Sequence, residues 1–303
     1  MAKLVVPADG PRVRPREPEE TSPYVRAELH KATEVWGVPT HFARTLACHP
    51  MLAKAAIDYA NAFIFQERVY AEIPRPGRPG ETVLFPEAGF IDRVTKELVI
   101  SLVGLLNRSR YAITHNGIIS FGALCAGLAD ATAAERRQRA ESMLLHLVDD
   151  QGNPSFEGRT HQGGALYSEL QLAALRLACK TNRDPHDVTD QEMMGLRALL
   201  RADAAGQIAA GPLATVFGAA GPDHAYLDAF VDGMMVELTW TISHFAGLLS
   251  RWFTLLKVRD EDFAMGPDGG SFLDAYNALP ESLKARNNAL LGPDGWGAST
   301  SRG

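Results

Sequence analysis

From Tyr24 onward the chain is patterned for helices. Phe42, Leu46, Leu52 and Ile57 recur at helical spacing. Pro50 interrupts this run and fits the first turn of a new helix after His49, where a missing N–H costs nothing. The stretch from Asp92 to Leu106, DRVTKELVISLVGLL, reads as a helix buried on almost every side. Asn107-Arg108-Ser109 breaks it, and Tyr111 to Leu128 reads as the next helix, with Ser109 as its N-cap. A run of breakers from Asp149 to Gly164 predicts a loop, and Leu166 to Lys180 is helical again. Thr189 and Glu192 form a capping box that opens a helix running to about Arg201. Met234 to Val258 is a long apolar helix carrying Glu237 and His244, and a short helix follows near Phe272 to Leu291. Strand-like alternation is confined to Thr82 to Phe85, and Ile73 to Gly80 reads as a Pro/Gly-rich loop that shapes a site or an interface.

The pattern therefore predicts an all-α fold. Residues 1–22, rich in Pro, Arg and Glu, read as an extended arm, residues 23–258 as one all-α domain, and residues 259–303 as a tail with a short helix. The helices fall into two groups, Tyr24 to Leu128 and Leu166 to Val258. Neither looks able to bury its own apolar faces, so the two should pack together.

Composition narrows the function. The 303 residues are 46% hydrophobic and 22% charged with net charge −6, and the basic residues are scattered, which argues against nucleic-acid binding. The longest apolar stretches, such as Leu98 to Leu106, are too short to cross a bilayer, and the first residues lack the apolar core of a secretory signal. Cys48, Cys125 and Cys179 lie far apart, with no Cys-x-x-Cys spacing, which suits a reducing cytoplasm and reads as three buried small hydrophobes. The chain is expected to be cytoplasmic, with a small-molecule substrate and no membrane or nucleic-acid partner.

Four separated blocks carry a resemblance. Phe42 to Pro50, FARTLACHP, Lys96 to Ile100, KELVI, Leu106 to Asn116, LNRSRYAITHN, and Thr181 to Asp190, TNRDPHDVTD, resemble in order the conserved segments of the carboxymuconolactone decarboxylase and alkylhydroperoxidase D-like family. The resemblance covers roughly residues 40 to 125 and 166 to 258, and it implies an alkylhydroperoxidase D-like helical bundle. Family peroxidases use a cysteine pair at a helix start, where the dipole favours thiolate. Ser109 and Ala112 hold those positions here, and a serine cannot cycle through sulfenic acid and disulfide. The resemblance therefore points to the decarboxylase branch, which works by acid/base chemistry. It also implies a homo-oligomer, a dimer or larger, with the arm and tail wrapping a neighbour.

The candidate residues follow. Glu97 lies among apolar neighbours, and a buried carboxylate requires either a partner, such as Arg93 one turn earlier, or a raised pKa that makes it a usable acid or base. His115 shares a face with Tyr111, so an imidazole that moves protons near pH 7 sits beside a phenol that can orient a substrate oxygen; a core histidine bonded to a backbone carbonyl is the plain alternative. Asn116 stands where the family often has a second histidine. Arg110 could hold an anion. Glu237 and His244, two turns apart, could complete a pocket, with Trp240, Trp252, Phe253, Phe63 and Phe65 as an aromatic lining. Glu97, His115, Glu237 and His244 could also be imagined around a metal, but no Glu-x-x-His or His-x-x-x-His pair is present, so neither metal nor cofactor is expected. The resulting expectation is a cysteine-independent lyase, a decarboxylase or related carbon–carbon-cleaving enzyme, or an isomerase, acting on a small oxygenated acid or phenol of the kind met in aromatic catabolism. Glu97, His115 and Tyr111 would be catalytic, and Arg110, Asn116, Trp240 and His244 would bind substrate. Two alternatives are a hydroperoxide reductase with an unusual thiol and a non-catalytic helical assembly or binding protein.

Overall fold

The computed structural model describes residues 13–36, 40–60, 68–128, 132–218, 221–256, 258, 264–265 and 270–291. It opens with three helices, α1 (Pro23–Trp36), α2 (His41–Leu46) and α3 (Pro50–Ala60). Thr40 caps α2 by accepting the Ala43 amide at 3.2 Å, and Pro50 starts α3 as its spacing predicts. Val25, Leu29, Ala43, Ala47 and Ile57 form a small core of their own between these helices. The arm is held rather than loose where it is described. Its Arg16 amide donates to the Arg44 carbonyl at 3.0 Å.

A hairpin follows, β1 (Val69–Pro74) paired antiparallel with β2 (Thr82–Ala88), with Ile73 opposite Val83 and Pro74 opposite Thr82. The expected loop from Ile73 to Gly80 is thus the closed end of a hairpin. Most of its residues are only partly buried, so the alternation that announces a strand is blurred in the sequence. The Tyr226 hydroxyl donates to the Leu84 carbonyl at 2.8 Å and ties the hairpin to the bundle.

The centre of the bundle is α4 (Arg93–Leu106), whose N-cap Asp92 accepts the Thr95 amide at 2.8 Å. It packs against α5 (Gly117–Gly127), α7 (Glu169–Arg183) and α10 (His224–Ser243), so the two helix groups share one core, as their apolar faces require. Thr189 and Glu192 make the expected capping box of α8 (Asp190–Ala210), which runs past Arg201 because Ala204 and Ile208 continue its buried face. An unforeseen helix, α6 (Ala133–Leu145), buries only Ala140, Met143 and Leu144 and is otherwise polar, which hides its periodicity. The short α9 (Leu213–Phe217) precedes α10, and α11 (Ser250–Leu256) continues it after a π turn, His244–Leu249. The expected helix between Phe272 and Leu291 is two, α12 (Phe272–Asn277) and α13 (Glu281–Leu291). The tail does not stand apart, because Tyr276, Leu279, Leu283, Leu290 and Leu291 join the main core. No described helix is long and apolar enough to cross a membrane.

Candidate active site

On α4, residues three and four apart stack on one face while neighbours diverge. Lys96 and Glu97 therefore serve different partners. Glu97 turns toward α5, where Ser120 Oγ donates to its Oε2 at 2.6 Å and Ser101 Oγ donates to Ser120 Oγ at 2.8 Å. Arg93, one turn earlier, sets its guanidinium on the other carboxylate oxygen. The partner that a buried carboxylate requires is thus present. Lys96 reaches α10 instead, with Nζ 2.8 Å from Glu237 Oε1, both side chains buried. Glu237 also accepts the Phe90 amide at 2.8 Å and the Ile91 amide at 3.4 Å.

The chain leaves α4 through Arg108, whose φ of 47° turns it back, and enters a π turn, Ala112–Asn116, before α5. Thr114 Oγ1 donates to the Arg110 carbonyl at 2.9 Å, one of the backbone acceptors that the widened turn loosens. His115 is buried in this turn, and its ring stacks on Tyr111 at 4.8 Å with 14° between planes. Tyr111 in turn meets Phe253 of α11 at 4.6 Å, and Phe42 of α2 packs on Phe253 at 5.5 Å and on Trp252 at 5.9 Å. Burial, and secondarily the charge of nearby His41, pushes the His115 imidazole down to about 4. It is therefore neutral at pH 7.

His244 also lies in a π turn, with its pKa lowered to about 4 by burial, its ring edge-on to Phe245 at 5.7 Å. Each helical segment that carries a candidate histidine is thus widened at that histidine, a feature common at functional sites.

Several expectations need correction. Glu237 does not complete a pocket with His244; it is the buried counter-ion of Lys96, a partner 141 positions away in sequence. Trp240 does not line a cavity, since it is 53% exposed on the outside of α10, whereas Phe253 is buried. Phe63 and Phe65 lie outside the described residues. Ser109 precedes the helix but makes no cap with its hydroxyl, which is buried without a hydrogen bond. Cys48 is exposed rather than buried, while Cys125 and Cys179 are partly buried. Asn116 has its Nδ2 enclosed beside His115 without a hydrogen-bond partner, and Arg110 is half-buried at the mouth of the π turn.

Three contributors carry no motif in the sequence. His41 stands one residue before the first recognised block. Ser101 and Ser120 are lone hydroxyls inside apolar helices, and that isolation was the available signal, because a buried hydroxyl needs an acceptor. Among the described residues no group of three or more His, Cys, Asp or Glu side chains is placed to hold a metal ion.

No protein-family model matches the sequence, and no curated protein is significantly similar to it. The architecture does match a solved structure from Ralstonia eutropha JMP134, described as an alkylhydroperoxidase AhpD core and an uncharacterized peroxidase-related protein. The match has a TM-score of 0.50 at 15% identity and covers 83% of this chain and 93% of that one. The chain has the AhpD-like helical fold. Within this AhpD-like bundle, Ala112 packs so closely on α4 that a Cβ on Gly104 would lie 3.1 Å from its own. Burial raises the thiol of Cys125 and pushes that of Cys179 up to about 12.

Proposed function

We propose that the protein is a cysteine-independent acid/base enzyme, a lyase of the decarboxylating or carbon–carbon-cleaving kind or an isomerase, acting on a small oxygenated acid or phenol. The observation that carries this reading is the placement of two buried titratable groups on packed neighbouring elements. Glu97 of α4 is fixed by Arg93 and Ser120, and His115 of the adjoining π turn is neutral and braced by Tyr111. In a decarboxylation the bond to the leaving CO2 breaks, its electron pair stays behind as an enolate, and a proton is added at carbon. The Glu97 carboxylate suits removal of a substrate O–H proton, and His115 suits the relay of that same proton back to carbon. Arg110 holds the substrate anion, and Asn116 offers an amide donor beside it. Pairing of Glu97 with His115 through the substrate is part of this proposal.

A hydroperoxide reductase is the second reading, favoured by the description of the Ralstonia eutropha structure as peroxidase-related. It requires a reactive thiol. Cys125 and Cys179 are disfavoured as thiolates by burial, which leaves exposed Cys48, whose Sγ lies 3.5 Å from the Arg14 carbonyl. Mass spectrometry of the purified protein against a panel of aromatic catabolites, run beside a peroxide-consumption assay with thiol reductant, separates the two. Turnover of a catabolite that Glu97→Gln abolishes supports the first reading. Peroxide consumption that Cys48→Ala abolishes replaces it with the second.

A further inference from the structure

A second polar feature lies beside Ser101, one turn along α4 from Glu97. Helix α13 covers part of a cavity of about 20 Å³ beside α4 and the first π turn, with Leu105, Ala112, Ile113, Leu279 and Leu283 as apolar walls. That is room for one solvent-sized occupant. Arg286 and Asn287 of α13 bring polar groups to it, and both are buried.

Their hydrogen bonds decide what they present. Arg286 Nη1 donates to the Leu144 carbonyl at 2.8 Å and to the Leu145 carbonyl at 3.4 Å, at the C-terminal end of α6. Its Nε donates to Asn287 Oδ1 at 3.1 Å. That bond fixes the orientation of the Asn287 amide, so its other end is the NH2. Arg286 Nη2 and Asn287 Nδ2 then have no acceptor among the described residues, and both side chains line the cavity. The third polar group there, Ser101, already gives its proton to Ser120. Among the described residues no carboxylate lies within ion-pair distance of Arg286, and burial pulls its guanidinium down to about 10. The α6 carbonyls offset only part of a buried positive charge.

We propose that this cavity binds a small monovalent anion of halide size, held by Arg286 Nη2 and Asn287 Nδ2. Two N–H donors, one of them cationic, in an apolar wall match such an ion in number, sign and size. A water molecule would accept both bonds but would leave the charge uncompensated and one of its own protons without an acceptor.

The test compares thermal unfolding of the full chain in sodium chloride, sodium bromide and sodium gluconate at equal ionic strength. The expected result is a saturable rise of about 2 °C or more in chloride and bromide over gluconate. General salt effects run the other way, since strongly hydrated, excluded anions stabilise folded proteins. Arg286→Met and Asn287→Leu should abolish the difference. Because loss of Arg286 also uncaps α6, a bromide-soaked crystal of the wild-type protein supplies the independent reading, an anomalous peak within hydrogen-bond distance of Arg286 and Asn287. Equal melting in the three salts, or a crystal with only water in the cavity, overturns the proposal.

Discussion

Ser120 gives its hydroxyl proton to Glu97 across 2.6 Å, and the two residues belong to different helices, α5 and α4. The bond fixes one carboxylate oxygen, while Arg93 covers the other. A side chain held so firmly in the core has a defined position from which to move a proton, and the cost of burying it is offset locally. Glu97→Gln keeps the shape and an acceptor for Ser120 but removes the titratable group. Turnover should fall by about two to four powers of ten, while unfolding in urea shifts by no more than about 1–3 kcal/mol. Undiminished turnover in the folded variant would remove Glu97 from the chemistry.

Histidine protonation should set the acid stability. His115 and His244 are both held near 4, below their ordinary value of 6.5, because burial disfavours the charged ring. As pH falls below 6.5 the unfolded chain takes up protons that the folded chain refuses, so stability declines from that point. The decline levels off only near pH 4, where the folded rings protonate as well. For His115 alone the loss is on the order of 3 kcal/mol. Urea unfolding at pH 7 and pH 5 should show a smaller difference in His115→Gln than in wild type. An identical difference would mean that His115 is not buried as a neutral ring.

What was legible in the sequence was local. The Asp92 cap, the Thr189–Glu192 box, the Pro50 helix start and the Tyr111–His115 face all depend on residues within one or two turns. What stayed hidden depends on pairing at long range or on irregular backbone. Lys96 and Glu237 are 141 positions apart, and nothing local couples them. His41 matters only through its charge near His115, 74 positions further along the chain. Trp240 and Phe253 share an expected lining, yet a separation of thirteen residues is not a whole number of turns of about 3.6 residues, and the π turn at His244–Leu249 alters the phase again.

Activity should not need cysteine. Burial raises the thiols of Cys125 and Cys179, and exposed Cys48 follows α2, outside the His115–Tyr111 cluster. The triple variant Cys48→Ala, Cys125→Ala, Cys179→Ala should fold and retain turnover within about threefold, since the loss of one catalytic acid or base would cost far more. A folded but inactive triple variant favours the thiol-dependent reading.

Self-association is expected from the surface of the α10–α11 segment. Val236, Trp240, Leu248 and Leu255 are each more than half exposed along it, four large apolar side chains left at the surface of one segment. A second copy covering them accounts for this. Light scattering at micromolar concentration should give a multiple of the chain mass, and Trp240→Glu with Leu248→Glu should lower it. A monomer mass for the wild type rules this out.

The Lys96–Glu237 pair should behave as framework, and a double-mutant cycle distinguishes that role from catalysis. Both groups are buried, and Glu237 is further held by the Phe90 and Ile91 amides at the entry to α4. Lys96→Met leaves a buried carboxylate without its cation, which should cost about 3–5 kcal/mol in urea unfolding. Glu237→Gln keeps an acceptor for the backbone amides but removes the charge opposite the lysine, so it should cost a comparable amount. With both replaced, neither charge is stranded, and the double variant should be more stable than the sum of the single losses predicts. The folded fraction of each variant should keep its turnover, because neither side chain reaches the face of α4 that carries Glu97. Additive losses would show that the pair contributes no coupling, and a turnover defect larger than the loss of folded protein would place Lys96 in the active site.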